Sequence, residues 1–132
     1  LYPCAYETVW SVRKSNDTDE TMYLDLHLNQ RSSDYIMANF INKIQYVSLQ
    51  MMIASHLGYK VGKFSHLVNN LHIYNRHIDA AHELLERTPF VNDYPILELK
   101  ENKDFYDYTI DDFTIKNIKG IEKLISSLEI AI

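Results

Sequence analysis

The sequence carries a single cysteine, Cys4, among 132 residues. That excludes an internal disulfide and any CxxC-type metal or redox motif, and it suits a reducing cytoplasm. An excess of basic charge is also missing: 13 Lys and Arg stand against 18 Asp and Glu, for a net charge of -5. A general nucleic-acid binder needs a broad basic face, so no nucleic-acid partner is expected. A phosphate ligand needs only a local arginine, and Arg13, Arg31, Arg76 and Arg87 are scattered along the chain. No apolar run reaches the roughly 18 residues of a membrane span, so no membrane partner is expected either. Repeats, low-complexity tracts, linkers and a signal-peptide pattern are absent. Because the chain opens on Leu1 rather than Met, an upstream segment is expected.

What is present is a core. Hydrophobic residues make up 46% of the chain, too many for a disordered segment and enough for one domain. Ala5 to Arg13 alternates as a strand, and Met22 to Asn29 alternates again, with Met22, Leu24, Leu26 and Leu28 on one face. The polar "KSNDTDET" between them reads as a hairpin connection, and "QRSSDYIMANF" has no clean period and reads as a loop. From Asn39 to Leu57, apolar residues including Phe40, Ile41, Ile44, Val47, Met51 and Ala54 recur at three and four, predicting a largely buried helix ended by Gly58. "VGKFSHLVN" reads as a short strand. His72 to Arg87 reads as a second helix that buries Ile73, Ala80, Ala81, Leu84 and Leu85, with Pro89 beyond its end. "PILELK" is a further strand, "KDFYDYTIDDFTIKN" an aromatic turn leading into another, and "KLISSLEIAI" a final strand or tail. The fold class expected is α+β, a mainly antiparallel sheet packed with two substantial helices, in a single domain over residues 1–132.

Candidate chemistry is concentrated in a few short stretches. His72, His77 and His82 are five apart, which turns each about 140° from the last around a helix, so they cannot converge on one ion and no metal is expected. His27, His56, His66 and His82 read as ordinary surface or hydrogen-bonded histidines. "HIYNRH" puts His72 and Tyr74 at a strand-to-helix junction, where both can hydrogen-bond a hydroxyl or simply satisfy local backbone groups. "QRSSD" puts Arg31, Ser32 and Asp34 together: an arginine and a hydroxyl suit a phosphate oxygen, and an internal Arg–Asp pair is the plainer alternative. "TIDDF" reads as a turn with a hydrophobic anchor more readily than as a binding surface.

The order and spacing of these pieces carry more than any one of them. "PC" opens the chain, "QRSSD" begins 26 residues after Cys4, Asn42 follows Gln30 by twelve, then come "HIYNRH", "IDDF" and a terminal "EIAI". This order resembles the C-terminal half of the thymidylate synthase family over essentially the whole chain, most closely its Bacillus and Bacillus-phage branch. The resemblance implies roles. Cys4 would be the nucleophile that adds to C6 of dUMP, with Arg31 beside it contacting the phosphate, and a nearby guanidinium favours the thiolate form on which nucleophilicity depends. Gln30 and Ser32 would join Arg31 in binding substrate. Asn42 would read the uracil edge, since an amide both donates and accepts. His72 and Tyr74 would hold the 3'-hydroxyl, Asp34 the folate pterin, and Ile132 would close over the folate with its carboxylate.

The activity so implied is reductive methylation of dUMP to dTMP, with 5,10-methylenetetrahydrofolate as co-substrate and Cys4, Arg31 and Asn42 as the catalytic set. A homodimer through the sheet face is implied as well, burying alternate residues such as Tyr6, Thr8 and Trp10. The sequence departs from the family pattern at "ANFIN", where Ala38 stands for a glycine, and at "NNLH", where Asn69 and Asn70 stand for glycine and aspartate. Those departures keep two alternatives open: a hydroxymethylase of the same fold, and a non-catalytic module that still binds a nucleotide. The family's N-terminal half, with further phosphate arginines, has no counterpart here, so the 132 residues alone are expected to be inactive.

Overall fold

The structure, a computed structural model, describes residues 3–16, 18, 20–87, 94–100, 103–117 and 128. The strand or tail expected over 123–132 lies, apart from Leu128, outside the described residues, as do Pro89 and Ile132. Two strands open the chain, β1 (Ala5–Lys14) and β2 (Met22–Asp34), paired antiparallel. Along β2 the alternation does what alternation predicts: Leu24, Leu26 and Leu28 are all buried, while the residues between them are half-buried. Helix α1 (Asn39–His56) then crosses over, and β3 (Lys60–His72) returns parallel to β2. A parallel neighbour requires a crossover of this kind, and α1 packs on both strands that it joins. Its buried Gln50 donates from Nε2 to the carbonyl of Leu24 at 2.7 Å and to that of Lys63 at 3.2 Å, stitching helix to sheet.

Gly58 ends α1 as expected, in the left-handed region at φ 70, where a glycine carries no Cβ penalty. A short 3-10 turn, Asn75–His77, leads into α2 (Ile78–Glu86). β4 (Ile96–Leu99) and β5 (Phe113–Lys116) form a separate antiparallel pair. The aromatic segment between them folds as two 3-10 turns and is tied to the end of α1, where the Tyr108 hydroxyl donates to Ser55 Oγ at 2.8 Å. In "TIDDF" the anchor is ionic as well as apolar: the buried Asp112 accepts from Lys103 Nζ at 2.7 Å and from the Thr109 amide at 2.9 Å. No helix among the described residues is long and apolar enough to cross a membrane.

The class is α+β with two substantial helices, and two of its three ladders are antiparallel. Several details differ from the sequence reading. "QRSSD" is not loop but the end of β2, because Gln30 continues the buried row after Leu28 with its amide fully engaged. β3 is longer than expected and ends at His72, so the second helix starts six residues later. Helix α1 is not largely buried, since only one side meets the sheet: Asn39, Gln50 and Ala54 are buried, and Ile41 is 65% exposed. On α2 Ala80 is buried and Leu85 is 82% exposed, while Ile73 stands in the extended segment before the helix.

Candidate active site

The site starts from the hairpin. Cys4 immediately precedes β1, and the antiparallel register sets Ala5 opposite Gln30, so the Arg31 amide donates to the Cys4 carbonyl at 2.7 Å. The same pairing brings Arg31 Nη2 to 3.5 Å from the half-buried Cys4 Sγ. This contact depends on β2 running through "QRSSD": a strand, unlike a loop, fixes the guanidinium against its neighbour. No Arg31–Asp34 pair organises the stretch. Asp34 instead accepts from the Ile36 and Met37 amides through Oδ1, a turn-forming use of a short carboxylate, with its Oδ2 3.6 Å from Nδ1 of the buried His77.

Amides form the inner wall. Gln30, buried at the end of the leucine row, donates from Nε2 to Asn42 Oδ1 and to the Ser32 carbonyl, both at 2.9 Å. Asn42 lies in the first turn of α1, its own amide donating to the Ala38 carbonyl at 2.9 Å. The end of β3 supplies the opposite wall. His72 and Tyr74 meet edge to face with ring centres 4.9 Å apart, and the Tyr35 amide donates to the His72 carbonyl at 2.8 Å, closing the loop after β2 onto β3.

These pieces line one open cleft of about 470 Å³, shared by Cys4, Gln30, Ser32, Asp34, Asn42, His72 and Tyr74; Arg31 does not line it and reaches it only through the Cys4 sulfur. Of the residues predicted from sequence, Ile132 alone lies outside the described ones. Gln45 and Tyr46 also line the cleft. Sequence reasoning passed over them, although they follow Asn42 by three and four on the same helix face. A larger hollow of about 720 Å³, near Met51, Tyr59 and Leu97, holds none of the predicted site residues.

A thiol beside a guanidinium, an amide pair on the inner wall and an edge-to-face His–Tyr pair opposite define a class: an α+β chain whose cleft brings a cysteine together with groups that can hydrogen-bond a small polar ligand. The family follows from comparison. A sequence model of the thymidylate synthase family matches residues 1–130, and the chain belongs to that family. It is 46% identical over 123 residues to the thymidylate synthase of Streptococcus pyogenes serotype M5 (strain Manfredo), covering 92% of this chain and 43% of that protein. To the thymidylate synthase of Streptococcus agalactiae serotype III (strain NEM316) it is 47% identical over 123 residues, with the same 92% and 43% covered. Among solved structures it is similar to the thermostable thymidylate synthase A from Bacillus subtilis, with a TM-score of 0.82, 40% identity, and 97% of this chain and 43% of that one covered. The chain therefore spans less than half the length of these relatives.

Proposed function

We propose that residues 1–132 are the C-terminal half of a catalytic domain that methylates dUMP to dTMP with 5,10-methylenetetrahydrofolate. The observation that carries this reading is the Arg31 guanidinium 3.5 Å from Cys4 Sγ at the mouth of a cleft walled by the Gln30–Asn42 amide pair. The Cys4 thiolate adds to C6 of the uracil ring, and the electron pair of the C5–C6 double bond moves towards C5 and O4. The Asn42 amide meets the charge at O4. The folate supplies a one-carbon unit to C5 and then a hydride. The C5 proton is lost, and the Cys4–C6 bond breaks to return the thiolate.

Arg31 serves two anions in this scheme. A guanidinium has five donors, so it can face the sulfur and still offer an edge to the substrate phosphate, which Ser32 shares. His72 and Tyr74 hold the deoxyribose hydroxyl. The Asp34 carboxylate, fixed in place by two backbone amides, offers an acceptor for a pterin N–H. The remaining length of such a protein supplies further phosphate ligands, so the 132 residues alone form no dTMP. A thiolate mechanism needs a reduced cysteine, which fits the cytoplasm.

A homodimer is part of the proposal. The register sets Thr8 opposite Leu28 and Trp10 opposite Leu26, on the helix side of the sheet. The outer face instead carries Val9, opposite His27, and Leu67, opposite Asn29. A second copy packs there.

The test is the intact mass of the protein carrying this chain after incubation with 5-fluoro-dUMP and methylenetetrahydrofolate. Fluorine at C5 cannot leave as a proton does, so the covalent complex accumulates. A mass increase equal to nucleotide plus folate, absent in Cys4→Ser, is expected. Nucleotide binding with no adduct would overturn the reading in favour of a non-catalytic module, and a hydroxymethylated product from dUMP would point to water in place of hydride.

A further inference from the structure

His66 sits on β3 and does not line the cleft. Its ring nevertheless reaches the amide system that does. His66 Nε2 lies 2.9 Å from Gln30 Oε1, and Gln30 Nε2 lies 2.9 Å from both the Ser32 carbonyl and Asn42 Oδ1. Gln30 is 2% exposed, so nothing but these neighbours decides which way its amide faces.

The polarity of this chain can be read from its one invariant group. A backbone carbonyl only accepts, so the NH2 end of Gln30 must face Ser32. Oε1 is then turned to His66, which must donate from Nε2. The other ring nitrogen, Nδ1, is buried without a hydrogen-bond partner among the described residues, so a proton there would be an unsatisfied donor and an imidazolium would be worse placed still. Burial, and then the nearby positive charge of Lys43, lower the His66 pKa and keep the ring neutral. One proton is left for two nitrogens, and Nε2 is where an acceptor waits. Asn42 receives the consequence: its Oδ1 is turned to Gln30, and its NH2 is the edge left for the cleft.

We propose that His66 is a positioning residue for pyrimidine selectivity, joining the Ser32 carbonyl in holding Gln30 in one amide orientation and, through it, holding Asn42 with its donor edge toward the base. This rests on the reading of the cleft as a dUMP site. Uracil offers the O4 acceptor and the N3–H donor; cytosine offers the N4 amino donor and a bare N3. An outward NH2 pairs with O4 and opposes the cytosine amino group, while the second lone pair of Oδ1 remains for N3–H. Without the His66 proton, Gln30 Oε1 is left buried and unpaired and the Ser32 carbonyl holds the amide alone, so the orientation of Asn42 that suits cytosine becomes more accessible.

The experiment compares the unaltered protein carrying this chain with His66→Leu and His66→Gln, measuring dissociation constants for dUMP, dCMP and deoxyribose 5-phosphate by calorimetry. In His66→Leu the dUMP-over-dCMP ratio is expected to fall about tenfold, the size of one buried hydrogen bond, with deoxyribose 5-phosphate binding unchanged. His66→Gln, which can donate from a similar place, restores the ratio. A His66→Leu ratio equal to that of the unaltered protein overturns the proposal, as does an equal loss for all three ligands, which marks a packing role. If the unaltered protein shows no preference for dUMP, the dUMP reading fails and the proposal fails with it. Nitrogen-15 NMR of the unaltered protein gives a test independent of variant folding: His66 is expected to carry its proton on Nε2, and a proton on Nδ1 overturns the proposal.

Discussion

At the residue scale the decisive contact is between a sulfur and a guanidinium. Arg31 Nη2 donates toward Cys4 Sγ at 3.5 Å, the atom that attacks in the proposed reaction. Arg31→Ala is expected to slow the reaction of Cys4 with iodoacetamide, by removing the cation beside the sulfur. That reagent carries no phosphate, so an unchanged rate would mean that Arg31 serves the phosphate alone. Cys4, Asn42, His72 and Tyr74 stand out in the sequence because family motifs fall on them in order, and the structure gathers these four on one cleft. His66 was not. Its role depends on the parallel register that sets it beside Leu28, one step from Gln30, and no local pattern announces a cross-strand partner 36 residues away.

At the element scale, periodicity was legible wherever burial on one face set it. The leucine row of β2 and the stop of α1 at Gly58 came out as read. The extension of β2 through "QRSSD" was hidden because its buried row continues with an amide where a hydrocarbon is expected. The exposure of Ile41 was hidden because a helical period shows an apolar face without showing what covers it.

Two elements carry predictions of their own. Gly62 on β3 lies against the β2 irregularity between Leu24 and Leu26, where an added Cβ would come within 2.0 Å of Asp25 Oδ1 and 2.7 Å of the Leu24 carbonyl. That carboxylate is not free to move, since it accepts from the Lys63 amide and from Arg13 Nε, each at 2.7 Å. Gly62→Ala is expected to destabilise by about 1–3 kcal/mol, as overpacking does, and to lower the denaturant midpoint.

The turn before β5 predicts an acid sensitivity. The side-chain hydrogen bond from Lys103, then that from the Thr109 amide, holds the Asp112 pKa below its ordinary value. A lowered carboxylate contributes stability above its unfolded pKa and loses it as pH falls through the folded one. The stability difference between the unaltered protein and Asp112→Asn should hold steady from neutrality to about pH 4 and shrink below it. A difference that grows in acid would contradict this assignment, and thermal midpoints across pH would show which occurs.

For the whole molecule, the proposed homodimer uses the outer face of the three-stranded sheet. Val9 is 50% exposed there and Leu67 52%, on two strands that flank β2. Leu67→Glu would place a charge in the centre of that contact, and sedimentation velocity of the protein carrying it is expected to show a monomer where the unaltered protein shows a dimer. Dimers that persist unchanged would move the interface elsewhere.

The crossover of α1 has a further consequence for the nucleophile. Cys4 stands just before β1 and Arg31 on β2, whereas the amide and ring walls of the cleft draw on a helix and on the end of a third strand that follows that helix in the chain. The hairpin alone brings the guanidinium to the sulfur, while the cleft around them is completed only by the helix and the third strand. On the proposed reading, what the cysteine can attack is therefore settled by elements added after the hairpin that sets the cation beside it.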